Sequence, residues 1–168
     1  MSQNIYRKII DLIKEAQSFA LSIGIPNILQ PGLVKEMMIA DLLGHEVIFS
    51  KRNADARDPN NHSNLYEYLS CKEGGNGQLD SMFKEPHDMR VKSLERITRN
   101  KMIYYAVFYE NDQLKLKIIY AIEPKVLLKE AERQLDVSRN PKSHCNFSNN
   151  WAAENGIIVY EDKPKQIV

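Results

Sequence analysis

Asn53-Ala54-Asp55-Ala56-Arg57-Asp58, the polar run Asn60-Asn61-His62-Ser63-Asn64, and then Leu65-Tyr66-Glu67-Tyr68-Leu69-Ser70-Cys71 form the most informative stretch of the chain. The polar run reads as a turn, and the aromatic and apolar segment after it reads as a strand. Side chains alternate along a strand, so Glu67 and Leu69 share one face and Lys72 takes the other. If Asp55 ends the preceding strand or turn, its carboxylate and that of Glu67 can meet across neighbouring strands. Two converging carboxylates supply the anionic oxygens that a hard cation such as Mg²⁺ requires. Phosphodiester cleavage also needs a positive group to offset charge building up on phosphorus. The position for a lysine, two places beyond Glu67, holds Leu69. The nearest lysine, Lys72, needs a β-bulge to reach that face. Taken alone the pattern is short, and it leaves open a plain alternative in which Asp55 and Asp58 are turn residues and Glu67 is a strand-edge charge.

Working outward, Ile5, Ile9, Leu12, Ile13, Ala16 and Ala20 recur at three- and four-residue intervals and draw one stripe along a helix. Gly24 and Pro26 break it. Pro31 opens a second helix carrying Leu33, Met37, Ala40 and Leu43, which Gly44 stops. Glu46 to Ser50 reads as a first strand. Gly74-Gly75-Asn76-Gly77 matches no phosphate-cradling pattern and reads as a mobile loop. Met102 to Tyr109 and Leu114 to Ile118 read as a hairpin, Pro124 to about Leu135 as a helix, and Ile157 to Tyr160 as the last strand, with 161–168 a fraying tail. Two helices followed by strands mixed with helices predict a mixed α/β fold, a single domain over 1–168 built on a central sheet.

Composition narrows the class. The 168 residues are 43% hydrophobic and 27% charged, which is enough apolar matter for a core and argues against disorder. Apolar runs such as Ile118 to Ile122 are far shorter than the roughly 20 residues of a membrane span. The first residues lack the apolar region of a secretory signal, so an intracellular, cytoplasmic protein with no membrane partner is expected. Cys71 and Cys145 are far apart and read as free buried thiols. His45, His62, His87 and His144 show no metal spacing. The formal charge of +1 neither requires nor excludes nucleic acid, since a cleft needs only local positive potential. From Lys84 to Lys101 six cations outnumber three anions, which reads as a phosphate-facing strip or, as is more common for such a run, a solvated surface loop.

From about Ala16 to Tyr160 the chain resembles the type II restriction endonucleases of the PD-(D/E)xK superfamily. The resemblance rests on collinear segments: Ala20 to Ile25 leading to Gln30, Asp55 to Asp58, Tyr66 to Ser70, Ile122 to Lys125, Asn140 to Lys142, and Glu154 to Gly156. It implies a restriction-endonuclease-like central mixed sheet flanked by helices. It also implies a homodimer of a restriction-modification system that encloses a short palindromic duplex DNA and, with Mg²⁺, cuts both strands to leave 5′-phosphate and 3′-hydroxyl ends. Asp55 falls at the family's first metal-binding aspartate, Glu67 at its second acidic ligand, and Leu69 at its lysine. With an isobutyl group there, catalysis is expected to be impaired unless Lys72 substitutes, and Leu69→Lys is expected to gain cutting. The resemblance places DNA contacts at Arg96, Arg99 and Asn100, at Arg139, Asn140 and Lys142, and at Gln30 on the minor-groove side. The first helix forms part of the dimer contact or packs on its own sheet. A DNA-binding module that has lost cleavage, and a repair-type nuclease, are the rival readings.

Overall fold

The structure, a computed structural model, describes residues 2–50 and 54–163, so Asn53 and the tail from Pro164 lie outside the described residues. In chain order the elements are α1 (Ser2–Ser22), α2 (Leu33–Leu43), β1 (Glu46–Val47), β2 (Ala56–Arg57), β3 (Leu65–Lys72), β4 (Asn76–Phe83), α3 (His87–Thr98), β5 (Met102–Phe108), β6 (Leu116–Ile122), α4 (Pro124–Val137), β7 (Lys142–Ser148), α5 (Asn149–Asn155) and β8 (Ile157–Glu161). The described strands form a six-stranded sheet in the order β1-β2-β3-β5-β6-β8 and a separate β4-β7 ribbon. In the sheet β3 and β5 run parallel and the other neighbours antiparallel. The fold is therefore mixed α/β, a mostly antiparallel mixed sheet flanked by helices.

The strand period sorts the core into two layers. Leu69 and Cys71 of β3 and Ile103, Tyr105 and Val107 of β5 face α4, Ile97 of α3 and the ribbon. Tyr66, Tyr68, Ala106, Phe108 and Ile119 face Ile39 and Ala40 of α2. Gly44 ends α2 in the left-handed region, φ 69°, where a residue without a Cβ carries no penalty, and its N–H closes on the carbonyls of Ala40 and Asp41. The α1 helix does not pack on the sheet. Its buried anchor is Ala20 beside Ile25 and Leu33, while Ile5, Ile9, Leu12 and Phe19 are exposed.

Three expectations are corrected. The glycine cluster is no mobile loop, because Asn76 and Gly77 begin β4, and a Cβ on Gly77 would lie 2.6 Å from the Tyr105 ring. Only glycine lets this strand press onto β5. The basic strip is not a loop either, since 87–98 is α3, with Lys84 donating to the carbonyls of Asp136 and Ser138 and Arg90 paired with Asp136. At the tail, Glu161 completes β8, and Asp162 accepts from the Tyr109 hydroxyl and pairs with Lys115. No helix among the described residues is long and apolar enough to cross a membrane.

Candidate functional site

The β2-β3 ladder pairs Ala56 with Tyr66 and Arg57 with Leu65. Continued by one residue, that register sets Asp55 opposite Glu67. Glu67 leaves the sheet on the side of Leu69 and Tyr105, and the Asp55 charge lies close enough to raise its carboxyl. Beyond this point the backbone ladder stops, and the Tyr68 N–H donates to Asp55 Oδ2 at 2.7 Å instead. The carbonyl of Asp55 meanwhile accepts from Ile48 N–H, which ties it to the end of β1. Asp55 is thus fixed from two sides, through Oδ2 and its backbone carbonyl.

Glu67 is 8% exposed, and its Oε2 is buried with no hydrogen-bond partner among the described residues. The nearest described cation is Arg99, with Nη2 at 3.7 Å from that oxygen. Burial, then the Asp55 charge, pushes the Glu67 carboxyl up to about 8, while Arg99 and Arg96 pull it back. Asp55 is raised by burial and lowered by the Tyr68 N–H, Arg99 and Arg96. A buried acid pair of this kind is strained electrostatically until a cation reaches it. A third acid was not foreseen from the sequence. Glu36 of α2 lines a cavity of about 360 Å³ with Asp55 and Gln30, and burial followed by the Asp55 charge raises it to about 7.

The donor set of Asp55 and Glu67 fits Mg²⁺, which uses one or two protein carboxylates and completes its shell with water and phosphate oxygens. The orphaned Glu67 oxygen is the observation that favours the fit. Among the described residues no three His, Cys, Asp or Glu side chains gather as a complete metal cage, so the remaining ligands would come from solvent and substrate.

The other predicted residues fall in different places. Leu69 is 2% exposed and belongs to the core under the ribbon. Lys72 is not brought to the acids. It lies on the opposite face, five residues and about 16 Å along the strand from Glu67, and its Nζ is bound to Glu110 at 2.9 Å. Asn100 is buried, and its amide donates to the carbonyls of Arg96 and Ile97, which closes the end of α3 and withdraws it from any base edge. Arg99 reaches Glu67, while Arg96 Nη1 donates to the Asp80 carbonyl at 2.7 Å and its charge acts on both acids. Arg139, Asn140 and Lys142 are exposed in the turn into β7, and Gln30 sits at the rim of the Asp55 cavity.

The ribbon carries side chains that the sequence reading missed. Gln78 opposes Asn146, and Asp80 pairs with His144 at 2.9 Å, all on the exposed face. Its buried face holds Gly77, Leu79, Met82, Cys145 and Phe147. Gln134 of α4 clamps it by bonding both the N–H and the carbonyl of Asn146. At the break in register between Leu79 and Met82, Ser81 has φ 56°, an uncommon conformation for a residue with a side chain. The alternation Gly77, Leu79 and Phe147, Cys145 was the available signal. Trp151 packs on Phe147 with ring centroids 5.0 Å apart, as core and not as a free stacking platform.

Comparison with protein-family models and with curated proteins finds no match.

Proposed function

We propose that this protein is a Mg²⁺-dependent endonuclease acting on duplex DNA, of the type II restriction endonuclease kind, working as a homodimer at a short palindromic site. The observation that carries the reading is the neighbouring acid pair Asp55 and Glu67, whose charges act on each other, with a buried Glu67 oxygen that has no hydrogen-bond partner among the described residues. Their chemistry suits a hard cation beside a phosphate. When bound, Mg²⁺ supplies Lewis acidity to the phosphoryl oxygen and lowers the pKa of attacking water. Asp55 and Glu67 would hold it, and the Tyr68 N–H fixes the Asp55 carboxylate. The charges of Arg96 and Arg99 offset part of the negative potential that the acids and an incoming phosphate create together.

Base reading falls to the ribbon. The major groove admits a two-stranded antiparallel ribbon, and Gln and Asn side chains pair bidentately with adenine while an acid accepts from cytosine. The row Gln78, Asn146, Asp80 and His144 has that chemistry. Arg139 and Lys142 at its base suit phosphate. Exposed apolar residues of α1, a helix of 21 residues, supply the surface for a second copy, and a symmetric dimer matches a palindromic site.

The second reading, a DNA-binding module without cleavage, draws on the buried apolar side chain at Leu69. Incubating the protein with long unmethylated DNA and Mg²⁺ and sequencing the fragment ends separates the two. Discrete 5′-phosphate ends, lost in Asp55→Ala, support the endonuclease. Intact DNA that is nonetheless retained at one sequence supports the module, and random ends contradict site specificity.

A further inference from the structure

The site as described has two acids and, at the position for its cation, a leucine. That seat is closed to any charged substitute from the strand itself. Leu69 lies beneath Gly77 and Tyr105, and Lys72 is turned away and held by Glu110. The positive charge that does reach Glu67 comes from another element, the C-terminal end of α3.

We propose that Arg99 is the positioning residue of this site, holding the Glu67 carboxylate in place beside Asp55 where the PD-(D/E)xK pattern would use a lysine on the strand. This rests on the metal-centre reading of Asp55 and Glu67. Arg99 caps α3, its N–H closing on the carbonyl of Glu95, and its backbone remains helical at φ −66°. The helix end is locked in turn. The Asn100 amide bonds the carbonyls of Arg96 and Ile97, and the Lys101 N–H donates to the carbonyl of Leu65, two residues before Glu67 on β3. The guanidinium therefore arrives from a rigid junction stitched to the strand it serves. Its Nη2 stands 3.7 Å from Glu67 Oε2, and the Arg99 side chain is 29% exposed.

Arginine suits this task differently from lysine. It keeps its charge at all accessible pH values and offers five donors in a planar fork. It orients and balances charge, and it does not shuttle a proton. One helical turn earlier Arg96 bonds the Asp80 carbonyl at the ribbon break. The two arginines thus run from the ribbon to the acid pair along one side of α3.

The test uses Tb³⁺ luminescence as a binding readout independent of activity, alongside cleavage kinetics on DNA and thermal melting. Arg99→Ala should weaken Tb³⁺ binding by about 10- to 100-fold, the range for losing a residue that orients a metal ligand. It should lower kcat with KM for DNA little changed, while Arg99→Lys restores most of both and Lys72→Ala changes neither. Where Arg99→Ala fails to fold, Arg99→Gln, of similar length and no charge, carries the same expectation. If Asp55→Ala abolishes Tb³⁺ binding while the Arg99 variants bind as the unaltered chain does, the metal centre stands and the role of Arg99 is overturned. If Asp55→Ala also binds normally, the metal-centre reading fails and this inference with it.

Discussion

Asp55 stands opposite Glu67 one residue past the last backbone pair of β2 and β3, and its Oδ2 takes the Tyr68 N–H that the ladder no longer serves. A carboxylate here does the work of a strand. It completes the hydrogen bonding of β3 at the point where the sheet opens, and it lies against the acid with the orphaned oxygen.

Removing either acid should therefore have unequal structural effects. Asp55→Ala leaves the Tyr68 N–H without its acceptor and should cost about 1–3 kcal/mol. Glu67→Gln keeps shape and removes a buried charge, so it should leave stability unchanged or raise it. Both should abolish Mg²⁺-dependent cleavage. Denaturant titration and a cleavage assay check this, and equal destabilisation by the two changes would contradict the assigned roles.

The raised Glu67 carboxyl gives stability a pH signature. An acid whose pKa rises on folding leaves the fold strongest where both states are protonated, below the ordinary value of 4.5. As pH climbs from there to about 8, the unfolded chain ionises first and gains, so the metal-free fold weakens. The loss from this group has an upper bound of about 5 kcal/mol. Melting curves across this range should show the unaltered chain falling relative to Glu67→Gln. Added Mg²⁺ should recover most at the alkaline end, because binding favours the ionised acids. Parallel curves for the two proteins would contradict the burial of that charge.

Leu69→Lys, a gain-of-cutting change on the resemblance to the PD-(D/E)xK endonucleases, meets a different environment in the fold. The side chain sits in a dry core against Tyr105 and Gly77. Burying an ammonium there should cost about 2–4 kcal/mol even with Glu67 on the same face. With Arg99 already beside Glu67, cutting per folded molecule should not rise. A stable Leu69→Lys protein with increased cleavage would show that the strand position, not the helix end, is the proper place for the cation.

The ribbon and its base should separate specificity from affinity. Gln78→Ala and Asn146→Ala should each cost about 1–3 kcal/mol on the cognate site and little on random DNA. Arg139→Ala and Lys142→Ala should weaken both alike and reduce the salt slope by about one each. Binding isotherms at several salt concentrations distinguish the two patterns.

Much of this fold is legible in the chain because the relevant elements have clean periods. The stripe from Ile5 to Ala20, the stop at Gly44, the aromatic strand around Glu67 and Pro124 at the head of α4 each announce themselves. The elements α3, β4 and β7 do not, and neither does the short α5. The α3 helix carries five charged side chains among its 12 residues, and only Ser93 and Ile97 are buried, so its stripe is too thin to read. The β4 strand begins in glycines and loses its alternation at Ser81, and β7 is polar on its outer face. Strand parity warns against Lys72, whereas the meeting of Asp55 with Glu67 depends on where the preceding strand ends, which parity does not fix. Nothing local could reveal Arg99 or Glu36 beside them, since those contacts depend on how α3 and α2 dock. Asn100 was misread for the same reason, its amide being spent on the helix end.

The most direct test is a crystal of the protein soaked in Mn²⁺ and measured at the manganese absorption edge. The expected result is an anomalous peak bridging the carboxylates of Asp55 and Glu67, absent from Asp55→Ala crystals. Well-ordered carboxylates with no peak between them, at Mn²⁺ concentrations that support cleavage, would contradict a metal centre at this pair.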